Sequence, residues 1–413
     1  RALQVDPGHF SSLFLTGLCH LKLGNDDSAI SYFTSCISLK PDFVWSFVGR
    51  GTAFARLKQV QLAEGDFQQA LTIDPKLFAI YTTRGSMHAD QEKFAEAIAD
   101  FQHAMTLSPG HAAPHVLLGE TYQIQAVEIE KRLGKVAALA TYQKAKDELD
   151  AASGLDFNIP RIYRVRGEVN RRMEDFNAAL GDYQIALRLE SNGDRKKRAD
   201  DHKQIANIYL SDRDRFADGL QSALREYDAA IAIYDEDPAV HRLRGEVLLK
   251  LERFSDSVDA FTKCLKLGEP VADVYRARSA AFAKLGRSRE SMNDLTRSLE
   301  LEPEAANMLT RRGWAYLLRA ESLAEKDFAE AVEQNPENAD SYFGLAYARV
   351  LQGNISGAQQ AVRDGVKRAE KQFEEQGSTM ITWALFYNAS TVFAQAIPHV
   401  HKSAQLSAEE KKK

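Results

Sequence analysis

Cysteine is scarce in this chain: Cys19, Cys36 and Cys264 are the only three in 413 residues. An odd number with no C-x-x-C pair excludes a disulfide framework and leads us to expect a reducing, cytoplasmic setting. Proline (11) and glycine (24) are also few, which leaves little room for disordered linkers or a turn-rich all-β fold. Neither sign of charge dominates. The 53 Lys and Arg against 58 Asp and Glu give a net charge of −5, which argues against a surface coating nucleic acid or anionic membrane. The first residues, Arg-Ala-Leu-Gln-Val-Asp-Pro, lack the apolar core of a signal peptide. One stretch, 377–398, carries no charge, but Thr382, Asn388, Ser390, Thr391 and Gln395 interrupt it. It reads as a packing helix rather than a membrane span.

Catalytic signatures are missing too. No G-x-G-x-x-G, G-x-x-x-x-G-K-[ST], H-E-x-x-H or G-x-S-x-G occurs, so no phosphate cradle, zinc pair or nucleophile elbow is announced. His111 and His115 stand four apart, but Pro114 between them makes a turn with solvated histidines the expected reading. Cys36 and Cys264 fall in small-residue slots of a repeat, where packing is expected. The expectation is a chain without catalytic residues, cofactor or metal.

What the chain does have is a period. Pro7, Pro41, Pro75 and Pro109 are spaced by 34, as are Gly17, Gly51, Gly85 and Gly119. Each of the first three glycines is followed by an alanine at +12, a phenylalanine at +16 (Phe33, Phe67, Phe101) and a small residue at +19. Glycine and alanine remove bulk where two antiparallel helices cross, large residues fill the space between hairpins, and proline marks a helix that has ended. No hairpin buries its apolar face alone, so stacking supplies the core.

The pattern resembles the tetratricopeptide repeat, a helix–turn–helix unit of 34 residues, over nearly the whole chain. The resemblance implies an all-α fold, a right-handed superhelical solenoid of stacked antiparallel helix hairpins. About ten units are expected at 10–43, 44–77, 78–111, 112–159, 160–198, 199–237, 238–271, 272–305, 306–338 and 339–372. Residues 1–9 fit the end of a preceding truncated repeat, 373–400 a C-terminal capping helix, and 401–413 a disordered tail. The fourth unit is long: Gly119 to Ala138 spans 19 residues where 12 is usual, so its first helix is expected to run on to a turn near Gly134. The wording around Gly17-Leu-Cys-His and Cys36–Trp45 is similar to repeat arrays of large bacterial serine/threonine kinases. That similarity implies a recruitment region of a larger bacterial protein.

In such a solenoid the first helices line the concave side. The residues placed to face a ligand are Phe14, Leu18 and Trp45 near one end, and Trp314, Phe343 and Tyr347 near the other. These make apolar stripes at helical spacing, which either hold a partner or are covered, the first by preceding repeat units and the second by a terminal helix at 379–397. In the middle stand Arg164, Arg171, Arg242, Glu246 and Arg276. They make either a basic channel for acidic segments or a ladder of i, i+4 pairs on a solvated face. Arg50, Arg84, Arg166, Arg244, Arg278 and Arg312 each precede the crossing residue and are expected to pack their stems while their heads reach water. The expected function is a non-catalytic scaffold that binds a protein or peptide, with acidic segments as candidate ligands. Small-molecule substrates, nucleic acid and membrane are not expected. RNA binding in the groove, or an accessory role to a catalytic domain outside this chain, is the alternative.

Overall fold

The computed structural model describes residues 9–190, 193–211, 218–268, 270–317 and 321–376. Among the described residues the chain forms twenty α-helices and no strand. The expected truncated repeat before residue 9, most of the capping helix and the tail lie outside the described residues. The chain divides into two units, 1–212 and 213–413.

The first unit holds α1 (Phe10–Lys22), α2 (Asp26–Leu39), α3 (Val44–Arg56), α4 (Val60–Ile73), α5 (Phe78–Asp90), α6 (Phe94–Leu107), α7 (Ala112–Leu133), α8 (Lys135–Leu155), α9 (Pro160–Arg172), α10 (Phe176–Leu189) and α11 (Arg195–Ser211). The second holds α12 (Gly219–Ile233), α13 (Pro238–Lys250), α14 (Phe254–Leu267), α15 (Ala272–Lys284), α16 (Ser288–Leu301), α17 (Ala306–Tyr316), α18 (Glu321–Gln334), α19 (Ala339–Leu351) and α20 (Ile355–Gln376). Within each unit, each helix packs on its neighbours in sequence, which is the stacking that a 34-residue period requires. Successive first helices (α1 with α3, α3 with α5, α5 with α7, α7 with α9) also touch, whereas successive second helices hardly do. Within the first unit the first helices therefore form the tighter, inner row.

The period has a steric cause. A Cβ on Gly17 would sit 2.9 Å from the ring of Phe33, and one on Gly49 would sit 2.6 Å from the same ring. Phe33, fully buried, is thus a wedge between its own hairpin and the next. Phe67, Phe101, Tyr183, Phe261 and Phe328 repeat the arrangement against Gly51, Gly85, Gly167, Gly245 and Gly313. Each ring removed from water contributes roughly 1.5–3 kcal/mol.

A second recurring device holds the hairpins. Arg50 donates from Nε and Nη2 to Asp66 at 2.8 and 2.7 Å. Arg84 does so to Asp100 at 3.0 and 2.6 Å, and Arg278 to Asp294 at 2.8 and 2.8 Å. Arg166 and Arg312 grip Asp182 and Asp327 likewise. The same guanidiniums reach back one hairpin: Arg50 to Thr34, Arg166 to Asp150 and Arg278 to Thr262. Beyond the stem packing expected from the sequence, these part-buried heads are bound by a nearly buried carboxylate 15 or 16 residues on. Arg244 lacks that aspartate, having Ala260 there, and turns back to Asp228 at 2.6 Å.

The fourth hairpin is long in both helices, 22 residues in α7 and 21 in α8. Its turn falls at Gly134, as expected, with φ of 86°. The residue opposite Gly119 is Leu149, not Tyr142: a Cβ on Gly119 would lie 2.8 Å from the Leu149 side chain. The insertion is thus shared between the helices, and Ala145, Leu149 and Ala152 take the slots that Ala138, Tyr142 and Ala145 appear to fill in sequence. At the far end, α20 continues to Gln376, four residues past the expected end of the tenth unit at 372.

Candidate functional site

The candidate groove residues divide into three groups. Near the beginning, Phe14 is half-buried, its ring 5.8 Å from Phe33 and 5.1 Å from Phe43, whereas Leu18 (39%) and Trp45 (42%) are exposed. At the other end, Phe343 is fully buried in the core, where Ala369 and Gly365 of α20 cover it, and it does not line an open groove. Trp314 and Tyr347 come together, ring centroids 6.4 Å apart, both packed on the cluster around Phe328. The Trp314 indole N–H donates to Asp340 at 3.1 Å. Phe343 is covered by α20 and not by the expected terminal helix at 379–397, which lies outside the described residues.

In the middle, every singled-out arginine meets a carboxylate. Arg164 donates to Asp201 of the next hairpin at 2.8 and 2.7 Å and also pairs with Glu190. Arg171 donates to both Glu168 oxygens at 2.8 and 2.7 Å, and Arg172 adds a bond to Glu168. Arg242 pairs with Glu246 at 2.6 Å, one turn along α13, with both side chains 40% exposed. Arg276 bonds Glu302 at 2.5 Å and also contacts Asp273. The ladder reading therefore describes Arg171 and Arg242, while Arg164 and Arg276 reach onto other segments. The middle is a neutralised lattice of charges rather than a row of free cations.

The first unit holds a cleft of about 420 Å³ on its first-helix face. Gln123 enters it from α7, Arg164, Glu168 and Arg171 from α9, Tyr183 from α10, and Asp200, Asp201 and Gln204 from α11. Arg164 and Arg171 were legible from their register; Gln123, Tyr183, Asp200 and Gln204 were not singled out. Only Tyr183 carried a signal, since it puts a hydroxyl where most wedges are phenylalanine. Burial raises the Tyr183 phenol well above its usual range, so it stays protonated. Burial also raises the Asp201 carboxyl, and the Arg164 bonds and charge reverse only part of that. For Glu168, burial acts upward, but the bonds from Arg171 and Arg172 outweigh it and hold the group below the usual carboxylate range.

Nothing among the described residues assembles a metal site: no group of three His, Cys, Asp or Glu side chains converges. His115, expected in a solvated turn, donates from Nδ1 to Glu148 at 2.7 Å across the long hairpin, and His111 pairs with Ser108. Cys36 and Cys264 are buried, and burial raises both thiols, which keeps them from acting as thiolates. No described helix is long and apolar enough to cross a membrane; the uncharged stretch 377–398 lies outside the described residues.

Comparison with known proteins matches tetratricopeptide repeat families to residues 10–43 and 78–111 and to residues 322–372. No curated protein matches. Among solved structures, the chain is similar to YrrB, a TPR protein with an unusual peptide-binding site, at 19% identity and a TM-score of 0.41. That match covers 49% of this chain and 96% of YrrB. It is similar to a tetratricopeptide repeat protein from Parabacteroides merdae at 13% identity, covering 66% and 98% with a TM-score of 0.43. A match to MamA has 16% identity, 40% and 96% coverage and a TM-score of 0.38.

Proposed function

From the premise that this is a tetratricopeptide repeat protein, a scaffold for protein interaction, we propose that it holds a peptide or partner protein on its first-helix face and serves as the recruitment region of a larger protein. The observation that carries this reading is the cleft where Gln123, Glu168, Arg171, Asp200 and Gln204 from three successive first helices converge. Side chains from separate hairpins meet there without closing the space, as a recognition surface for an extended segment requires. The packing work is done elsewhere, by the wedges and by the Arg–Asp clamps. The ion pairs at Arg164, Arg171, Arg242 and Arg276 mean that an acidic ligand would have to compete with the chain's own carboxylates.

Site-specific photo-crosslinking tests the reading. A benzophenone side chain replacing Leu18, Gln123 or Arg242, all on first helices, is expected to capture a partner from the cell of origin. The same group at Leu62 or Gln143, exposed on second helices, is expected not to. Capture from the second-helix positions alone overturns the proposal.

A further inference from the structure

Tyr183 occupies a wedge position that is phenylalanine at Phe33, Phe67, Phe101, Phe261 and Phe328, and its ring packs on Gly167 as theirs pack on their glycines. The ring does the same work; the hydroxyl is extra. The residue is 3% exposed, its hydroxyl hydrogen-bonds to no described residue, and it lines the cleft. The ring is buried while the hydroxyl oxygen opens onto the cleft, where a ligand group can replace the water that meets it.

The charges around it say what that something is. The cleft is lined by three carboxylates, Glu168, Asp200 and Asp201, against two guanidiniums, Arg164 and Arg171. Both guanidiniums are committed, Arg164 to Asp201 and Glu190, and Arg171 to Glu168. Asp200 is the loosest carboxylate: its side chain is half-exposed and its pairing is with Lys203, one turn along α11. An i, i+3 pair of that kind is worth little and is easily exchanged.

We propose that the cleft receives a lysine or arginine side chain of the bound partner. Its cationic head donates to Asp200 and to the Tyr183 phenolic oxygen, while the Tyr183 O–H donates to a carbonyl of the same segment. Gln123 and Gln204, each with an amide donor and acceptor, suit the segment's backbone. This deepens the proposed function and rests on it: that reading names the face, and this one names the chemistry of the residue that enters it. It also reverses the sign suggested by counting arginines in the sequence, since those arginines are committed to the chain's own carboxylates and Asp200 is the charge most easily exchanged.

The test is selection of a random peptide library displayed on phage against the intact chain, followed by affinity measurement of the selected peptides. Selected peptides are expected to share one Lys or Arg at a fixed register. Tyr183→Phe and Asp200→Asn should each weaken them about tenfold, and replacing the shared cation by Gln should make both variants indistinguishable from the unaltered chain. Tyr183→Phe restores the residue found at five other wedges, and Asp200 is on the surface, so both variants keep the fold; circular dichroism confirms it. Peptides that bind with an acidic or apolar residue in that register, or that ignore Tyr183→Phe, overturn the cation pocket and leave the groove intact. A library that yields no binder at all removes the groove reading and the pocket together.

Discussion

Asp100 shows what a nearly buried carboxylate needs in this chain. Its side chain is 7% exposed, and two bonds from Arg84 offset the desolvation. Removing one partner of such a pair strands the other charge, whereas removing both at once does not. Arg84→Met is therefore expected to cost roughly 2–4 kcal/mol, and Arg84→Met with Asp100→Leu clearly less; chemical denaturation of the two variants checks the order. Glu168 gives a pH signature. Because Arg171 and Arg172 hold its folded value below the ordinary one, the stability it contributes is present above about pH 4.3 and lost as pH falls through the folded value. The gap in melting temperature between the unaltered chain and Glu168→Gln should close on acidification toward pH 3. Glu120 behaves oppositely: burial raises it despite Arg161, so Glu120→Gln should lose ground relative to the unaltered chain as the solution is acidified. Parallel melting curves at all pH values would contradict both.

At the scale of elements, the long hairpin turns on Gly134, whose φ of 86° and ψ of 168° are open only to glycine. No neighbouring atom lies within 4 Å of where its Cβ would be, so the cost of Gly134→Ala is backbone strain alone, on the order of 1–3 kcal/mol. That strain is local. Hydrogen exchange should speed up in the last turns of α7 and the first turns of α8 and stay unchanged in α9 and α10; protection lost throughout the unit would show that the turn anchors more than its own hairpin. This hairpin also marks where the sequence stops being legible. The 34-residue period announced the hairpins because wedge, crossing glycine and small residues are each fixed by contact with a neighbour. Inside the long hairpin the extra turns repeat the same alanine and large-residue spacing, so Ala138 and Tyr142 mimic the slots that Ala145 and Leu149 hold. Periodicity gives the face of a helix but not its depth along the hairpin. For the same reason Phe343 reads as a groove residue: its cover, α20, belongs to another element and leaves no trace in its own spacing. The Arg–Asp clamp was written at a separation of 15 or 16, but neither residue is apolar, and a search for apolar stripes passes over it. The cleft was half legible, through the register of Arg164 and Arg171; the carboxylates that neutralise them come from later segments.

Within each unit the described helices pack mainly on near neighbours along the chain, so stability is a sum of hairpin terms and interface terms. Nothing in that sum forces the chain to unfold at once. The two units differ in what the sum contains. Each has one leucine wedge, Leu149 and Leu295, and both have Arg–Asp clamps, but in the first, α3–α6 combine the phenylalanine wedges Phe67 and Phe101 with clamps at both Arg50 and Arg84. The second has Leu295 in place of one aromatic wedge, and Arg244 bonded only to Asp228, which is half-exposed. A smaller wedge leaves less area buried, and an exposed pair adds little. Unfolding is therefore expected to begin among α13–α16 rather than among α3–α6. Native-state hydrogen exchange in rising guanidinium measures this directly: amides of α13–α16 should open through a lower free energy than those of α3–α6, along separate isotherms. If every buried amide instead converged on one isotherm, cooperativity would extend over the entire chain, and nearest-neighbour packing would not account for how the repeats hold together.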